Sequence, residues 1–188
     1  MILMSNFISE IQAASVSRSL NLNEATARSR TFSASNRYNV FLSHKHDEVD
    51  LVKQIKSILE SLHSQVYVDW EDATMPNRTN GETANRLKGK IRSLDKFIFL
   101  ASNGAINSKW CNWEIGYGDA YKLALDKFAI FPVSNQYGWL GAEYLSLYPR
   151  IEYVSSYNDY NFGNPNFGTY WVVYPTGNKQ TLKEWLSK

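Results

Sequence analysis

From Tyr38 onward the chain alternates between short apolar runs and longer stretches in which apolar residues recur every three or four positions. The run Tyr38–Ser43 predicts a strand, and Leu51, Val52, Ile55, Ile58, Leu59 and Leu62 follow at the spacing of one helical face. The same reading predicts a strand over 66–69, a helix over 82–92, a strand over 96–101, a helix over 110–125 and a strand over 128–133. Residues 96–101 are almost continuously apolar, as a strand covered on both faces must be. Strands separated by helices of this length predict an α/β fold, a mainly parallel central sheet with helices on both faces. Further on, 151–155 reads as a fifth strand, 157–168 as a loop rich in Asn, Gly and Pro, 169–174 as an added edge strand and 181–186 as a short closing helix.

Before that alternation the pattern is different. Phe7, Ile8, Ile11, Val16 and Leu20 punctuate a segment rich in Ser, Asn and Ala at partly helical spacing, and 31–36 is polar and reads as a linker. The chain therefore divides into an N-terminal helical arm with its linker, 1–36, and a main domain, 37–188. The arm either packs on the main domain or joins one copy of the chain to another. The opening Met1, Ile2, Leu3 and Met4 are too few for the apolar core of a signal peptide, and no apolar stretch approaches the roughly 20 residues of a membrane helix.

Composition narrows the functional classes. Of 188 residues, 44% are hydrophobic and 20% charged, the balance of an ordinary globular protein. A formal charge of +2 without a run of Lys or Arg argues against a dedicated nucleic-acid binder. The single Cys111 excludes an internal disulfide and a thiolate metal cluster, which fits a reducing cytoplasm. The aromatic share of 14% exceeds the needs of a core this size and suits holding a nucleotide or a partner protein.

In an open parallel sheet, ligands bind beyond the carboxyl ends of the strands. Those ends are Ser43, His44 and Lys45, then Asp69 and Trp70, Ser102 and Asn103, and Ser134 and Asn135. On the helix over 110–125, Trp110 and Glu114 are four apart and present an indole and a carboxylate to the same space; Trp113 and Tyr117 form another such pair. A lone helical Glu is usually a cap or an ion-pair partner. Glu114, between Trp and Cys on one side and Ile115, Gly116 and Tyr117 on the other, has apolar surroundings unusual for a charge without a task.

Other chemistries fit less well. His44, His46 and Asp47 lack the remaining ligands and the supporting partners of a metal site, so no metal is expected. Cys111 has no His nearby in sequence and reads as a buried small residue. Gly116 and Gly118 lie inside a helix and follow no strand, which opposes a nicotinamide dehydrogenase.

Two segments resemble the Toll/interleukin-1-receptor (TIR) domains of bacterial, NAD-cleaving type. Tyr38-Asn39-Val40-Phe41-Leu42-Ser43-His44 is similar to the first TIR motif, with Asn39 in place of the usual acid. Lys109-Trp110-Cys111-Asn112-Trp113-Glu114 is similar to the Trp-Cys-x-x-Glu motif on the third helix of catalytic members. The family's late Phe-Trp motif is not plainly present, although Trp185 in the closing helix stands in a comparable place.

The resemblance implies a flavodoxin-like TIR fold and an NAD glycohydrolase or cyclase with Glu114 as its catalytic carboxylate. NAD is then the substrate, and no separate cofactor is needed. The nicotinamide leaves neutral from a cationic ring nitrogen, so one anion that stabilises the oxocarbenium-like ribose suffices. Water gives ADP-ribose, and a nucleophile of the substrate itself gives a cyclic ADP-ribose; both routes share the first step. Substrate contacts are expected from Ser43, His44, Asp69, Trp70, Arg78 and Trp110. Ser43 either bonds ribose or phosphate or caps a turn; Trp110 either stacks on a base or packs in the core. Arg78, before a helix start, either takes the pyrophosphate or serves the TIR–TIR contacts through which such domains self-associate. By resemblance to the signal-producing half of Thoeris antiphage defence, the nucleotide product would activate a separate effector. The alternative is a non-catalytic module that binds other TIR domains.

Overall fold

A computed structural model of the chain describes residues 7–27, 38–76, 81–154 and 169–188. The expected linker at 31–36, the positions Arg78 and Asn80, Ser155 at the end of the fifth strand and the loop over 157–168 lie outside the described residues.

In chain order the elements are β1 (Ile8–Ser9), α1 (Glu10–Ala27), β2 (Tyr38–Ser43), α2 (Val49–Ser61), β3 (Ser64–Tyr67), α3 (Gly81–Ser93), β4 (Lys96–Ala101), α4 (Asn103–Ile106), α5 (Lys109–Lys122), β5 (Phe128–Ser134), β6 (Arg150–Val154), β7 (Thr169–Val173), β8 (Lys179–Thr181) and α6 (Leu182–Leu186). The sheet runs β3-β2-β4-β5-β6-β7-β8. Its first five strands are parallel, and β7 and β8 close it as an antiparallel pair. The chain thus leaves β2 towards β3 and returns across β2 to β4, the strand order of a flavodoxin-like fold.

The alternation of side chains along each strand sorts the core into two layers. Val40, Leu42, Ile98, Leu100, Ala129 and Phe131 pack on α1, α2 and α6, while Phe41, Phe97, Phe99, Phe128 and Ile130 pack on α3, α4 and α5. In the second layer one row of rings crosses the sheet in register. Tyr67, Phe41, Phe97 and Phe128 are consecutive strand partners, and their neighbouring ring centroids lie 5.6, 5.5 and 4.9 Å apart. Cross-strand aromatic pairs of this kind pin the register, because a slip of one residue would turn every ring to the other face. Part of the high aromatic content is therefore core.

Sequence and structure differ at element ends. The second predicted strand stops at Tyr67, and Asp69 opens a single 3-10 turn, Asp69–Glu71. The helix expected to reach 125 ends at Lys122 and passes through a 3-10 turn, Leu123–Leu125, into Asp126 at φ 55°. β7 is not an edge, because β8 covers it; the three polar residues of β8 carry no apolar alternation to announce a strand. The arm is helical over Glu10–Ala27 and packs on the domain: β1 pairs with Val133 and Ser134 at the end of β5, and Ile8, Ala13 and Val16 are buried in the α2 layer.

Candidate functional site

At β2 the chain reverses its winding direction, so the helices that follow β2 and β4 diverge and leave a crevice beyond the carboxyl ends of these strands. The crevice is a cavity of about 600 Å3, within the range of small-molecule sites. Its walls come from the end of β2 (Phe41, Leu42, His44, His46), the segment after β3 (Asp69, Trp70, Asp72, Met75, Pro76), the first turn of α3 (Thr83) and the start of α5 (Ser108, Trp110, Cys111, Glu114).

Helix α5 is fixed at both ends of this stretch. Ser108 caps its start, its hydroxyl accepting from the Cys111 amide at 3.3 Å, a standard way to satisfy a free helical N–H. One turn past Glu114, Gly118 lies against the Phe97 ring so closely that a Cβ built on it would stand 2.9 Å from a ring carbon. That close approach presses α5 onto the sheet and brings Glu114 to the end of β2. There the Ser43 hydroxyl donates a hydrogen bond to Glu114 Oε2.

Glu114 is 4% exposed. Burial, which disfavours the charged form, pushes its pKa up to about 7 against the opposing pull of the Ser43 hydroxyl, His44 and Trp110. A carboxylate poised this far from its ordinary range, on a cavity wall, is a candidate for a functional group. Burial also acts on His44 and Asp69, but their mutual attraction outweighs it. His44 is held above its ordinary value despite burial, by the Asp69 carboxylate, the Leu42 carbonyl and the Glu114 charge. Asp69, against the same burial, is held below its ordinary value by His44 and His46. Cys111 is pushed up to about 12 by burial and so stays a thiol, in keeping with a packing role; its Sγ lies 3.3 Å from the His44 carbonyl oxygen.

The residues expected at a site are largely gathered here. His44, Asp69, Trp70, Trp110 and Glu114 share the cavity, and Trp70 meets the His44 ring edge-on with centroids 4.4 Å apart. Ser43 stands behind Glu114, its hydroxyl committed to that carboxylate and its side chain absent from the cavity wall. Arg78 lies outside the described residues. The second pair on α5, Trp113 and Tyr117, stacks beneath Lys88 of α3 and is not part of the wall. Sequence reading missed Met75, Pro76 and Thr83. The first two belong to the polar stretch 71–80, with Pro76 and Gly81 read only as breakers, and Thr83 looks like any first-turn residue of a helix.

Residues 40–162 match the model of a protein family described as the TIR domain. Over 119 residues, 61% of this chain, the sequence is 36% identical to the "Probable 3' cyclic ADP-D-ribose synthase ThsB'" of Bacillus cereus (strain MSX-D12), covering 60% of that protein. Over 83 residues, 43% of this chain, it is 25% identical to the "Putative cyclic ADP-D-ribose synthase TIR2" of Cytobacillus dafuensis, covering 22% of that protein. The matched part thus spans less than two thirds of the length of either relative.

Proposed function

From the premise that this chain belongs to the TIR-domain family, we propose that it cleaves the bond between ribose and nicotinamide in NAD and forms a cyclic ADP-ribose. The observation that carries the reading is Glu114, a buried carboxylate with a raised pKa at the wall of a cavity large enough for a small ligand. The names of both relatives, as cyclic ADP-D-ribose synthases, support the cyclic product over simple hydrolysis.

In this reading the glycosidic carbon–nitrogen bond lengthens and its electron pair leaves with nicotinamide, which departs neutral. Positive charge then spreads over the ribose carbon and ring oxygen. The Glu114 anion, already desolvated and fixed by Ser43, stabilises that charge without having to reorganise. A nucleophile elsewhere on the same substrate attacks the ribose carbon and loses its proton; water in its place gives ADP-ribose. Trp110 and Trp70 offer flat faces for a base or the nicotinamide ring, and His44 and Asp69 offer polar groups for ribose hydroxyls. Arg78 is the cation proposed for the pyrophosphate or for contacts between copies. NAD serves as substrate, with no cofactor in the reaction.

The catalytic unit is 37–188, with 1–36 as an arm; copies self-associate through TIR–TIR contacts, and the cyclic product acts on a separate effector in antiphage defence. The proposed location is the cytoplasm, where NAD is at hand. No described helix is long and apolar enough to cross a membrane. The test is a paired assay of wild type and Glu114→Ala on NAD at several protein concentrations, with products separated by chromatography and mass. Nicotinamide release by wild type alone supports the reading, and the partner product decides cyclase against hydrolase. No release at any concentration would leave the binding module as the better account.

A further inference from the structure

Two buried polar atoms on the cavity wall face each other without a hydrogen bond. His44 Nε2 and Asp69 Oδ1 are 3.4 Å apart, and neither has a hydrogen-bond partner among the described residues. The His44 side chain is only 4% exposed. Buried polar atoms are almost always paired, so such a couple needs a physical reason.

The other ring nitrogen decides what His44 Nε2 can be. Nδ1 lies 2.8 Å from the Leu42 carbonyl oxygen. A carbonyl only accepts, so Nδ1 carries the proton, and in the neutral ring Nε2 turns a bare lone pair towards a carboxylate oxygen. Two lone pairs aimed at one another are reconciled by a proton, a donating water or a metal ion between them. A proton would draw the pair into a charge-assisted bond of about 2.7–2.9 Å. A tetrahedral metal ion with bonds of about 2.0–2.1 Å would instead hold its ligand atoms about 3.3–3.4 Å apart. The observed 3.4 Å is wide for the first and leaves room for the second.

We propose that this chain carries a site for a zinc-class divalent cation, ligated by His44 Nε2, Asp69 and His46. One donor atom from each of the three lies within 4.8 Å of the others and His46 Nδ1 is 3.7 Å from Asp69 Oδ2, so the exposed His46 side chain closes the remaining gap when the ion binds. The mixed nitrogen and oxygen donors suit zinc better than magnesium or calcium, which prefer oxygen alone. The Leu42 carbonyl is the outer partner that a ligating histidine characteristically has, fixing the ring so that Nε2 points at the ion. The sequence pattern of His44, His46 and Asp47 lacked the remaining ligands and this partner; the fold supplies Asp69 from the segment after β3 and the carbonyl from β2 itself. Three protein ligands leave a fourth position for water or for an oxygen of whatever occupies the cavity that these residues line with Glu114. The site is read from donor geometry and stands whether or not the chain cleaves NAD.

The test uses the full chain, stripped with a chelator and free of nucleotide, titrated with zinc alone by calorimetry and with cobalt alone by visible absorption. One equivalent of zinc should bind, and cobalt should give the intense bands of a tetrahedral centre. His46 is 78% exposed at its side chain, so His46→Ala leaves the fold intact. It should weaken zinc binding by more than about tenfold, the lower end of what losing even an outer partner costs, as should Asp69→Asn. Cys111→Ser should leave binding unchanged. Absence of a stoichiometric site, unchanged affinity in His46→Ala, or loss of binding in Cys111→Ser would overturn the assignment.

Discussion

The Ser43 hydroxyl donates its hydrogen bond to Glu114 Oε2 across 71 positions of the chain, joining the end of β2 to the second turn of α5. This bond favours the ionised carboxylate, whereas burial, the larger influence, favours the neutral acid, and the balance leaves Glu114 at about 7. If the anion is the catalytic form, nicotinamide release rises with pH through about 7 and levels off above it. Ser43→Ala removes a hydrogen bond to a charged group, worth about 1.5–3 kcal/mol. The midpoint of kcat/KM against pH should therefore move up by about one to two pH units, with activity recovering in alkaline buffer. A lowered plateau with an unmoved midpoint would show that Ser43 only shapes the site.

Glu114→Gln separates catalysis from stability. The folded pKa, about 7, lies above the ordinary glutamate value of 4.5, so between these values the folded chain binds more protons than the unfolded one. Stability is then full below about 4.5 and falls as pH rises through 7. Above that window ionised Glu114 costs the fold about 3 kcal/mol, because a tenfold change in proton affinity is worth about 1.4 kcal/mol. Glutamine keeps an oxygen for Ser43 and carries no charge. The variant should be inactive on NAD yet melt higher than wild type at pH about 8, and the gain should vanish near pH about 4. Equal melting temperatures at both pH values would mean that Glu114 is hydrated in solution.

Strands β2, β4 and β5 and helices α2, α3 and α5 were legible because their information is local. Apolar runs such as Phe97, Ile98, Phe99 and Leu100 announce a strand, and the recurrence of Val52, Ile55, Ile58 and Leu59 announces a helix face. Glu114 stood out for the same reason, as a charge set among apolar neighbours. What was not legible depends on distant partners. β1 is two residues long and exists through its pairing with β5, and β8 exists because it covers β7. Likewise Ser43 read equally well as a cap or a ligand contact; only the arrival of α5 assigns its hydroxyl to Glu114. The pairing of His44 with Asp69 needed the return of the chain through β3.

Gly118 and Gly116 are two residues apart on α5 and should respond to the same substitution with opposite signs. A Cβ at Gly118 meets the Phe97 ring at 2.9 Å, while one at Gly116 meets nothing within 4 Å. Alanine in an exposed helix interior stabilises by about 1 kcal/mol over glycine, so Gly116→Ala should raise the melting temperature and leave activity alone. Gly118→Ala gains the same propensity but overpacks the contact, at about 1–3 kcal/mol, and lifts the turn that carries Glu114. It should melt lower and lose most of its NAD cleavage. A Gly118→Ala enzyme of full activity would show that α5 can shift without moving the carboxylate.

At the opposite end of β4 from the cavity, Lys96 is 1% exposed, its Nζ 4.3 Å above the Trp185 ring and 3.2 Å from the Asp126 carbonyl oxygen. Burial, the dominant influence, pushes its pKa down to about 8. Between about 8 and the ordinary lysine value of 10.5 the folded chain thus binds fewer protons than the unfolded one, and stability rises with pH across that window. Lys96→Met keeps the length and removes the charge, so it lacks this pH dependence. The wild-type melting temperature should therefore climb relative to that of the variant as pH rises from about 8 to about 10.5, whichever protein is the more stable at neutrality. NAD cleavage at pH about 7 should be the same in both, because the change lies at the amino end of the strand. A melting difference constant across the window would mean that the Trp185 face and the Asp126 carbonyl stabilise the ammonium fully, and that its burial carries no net penalty.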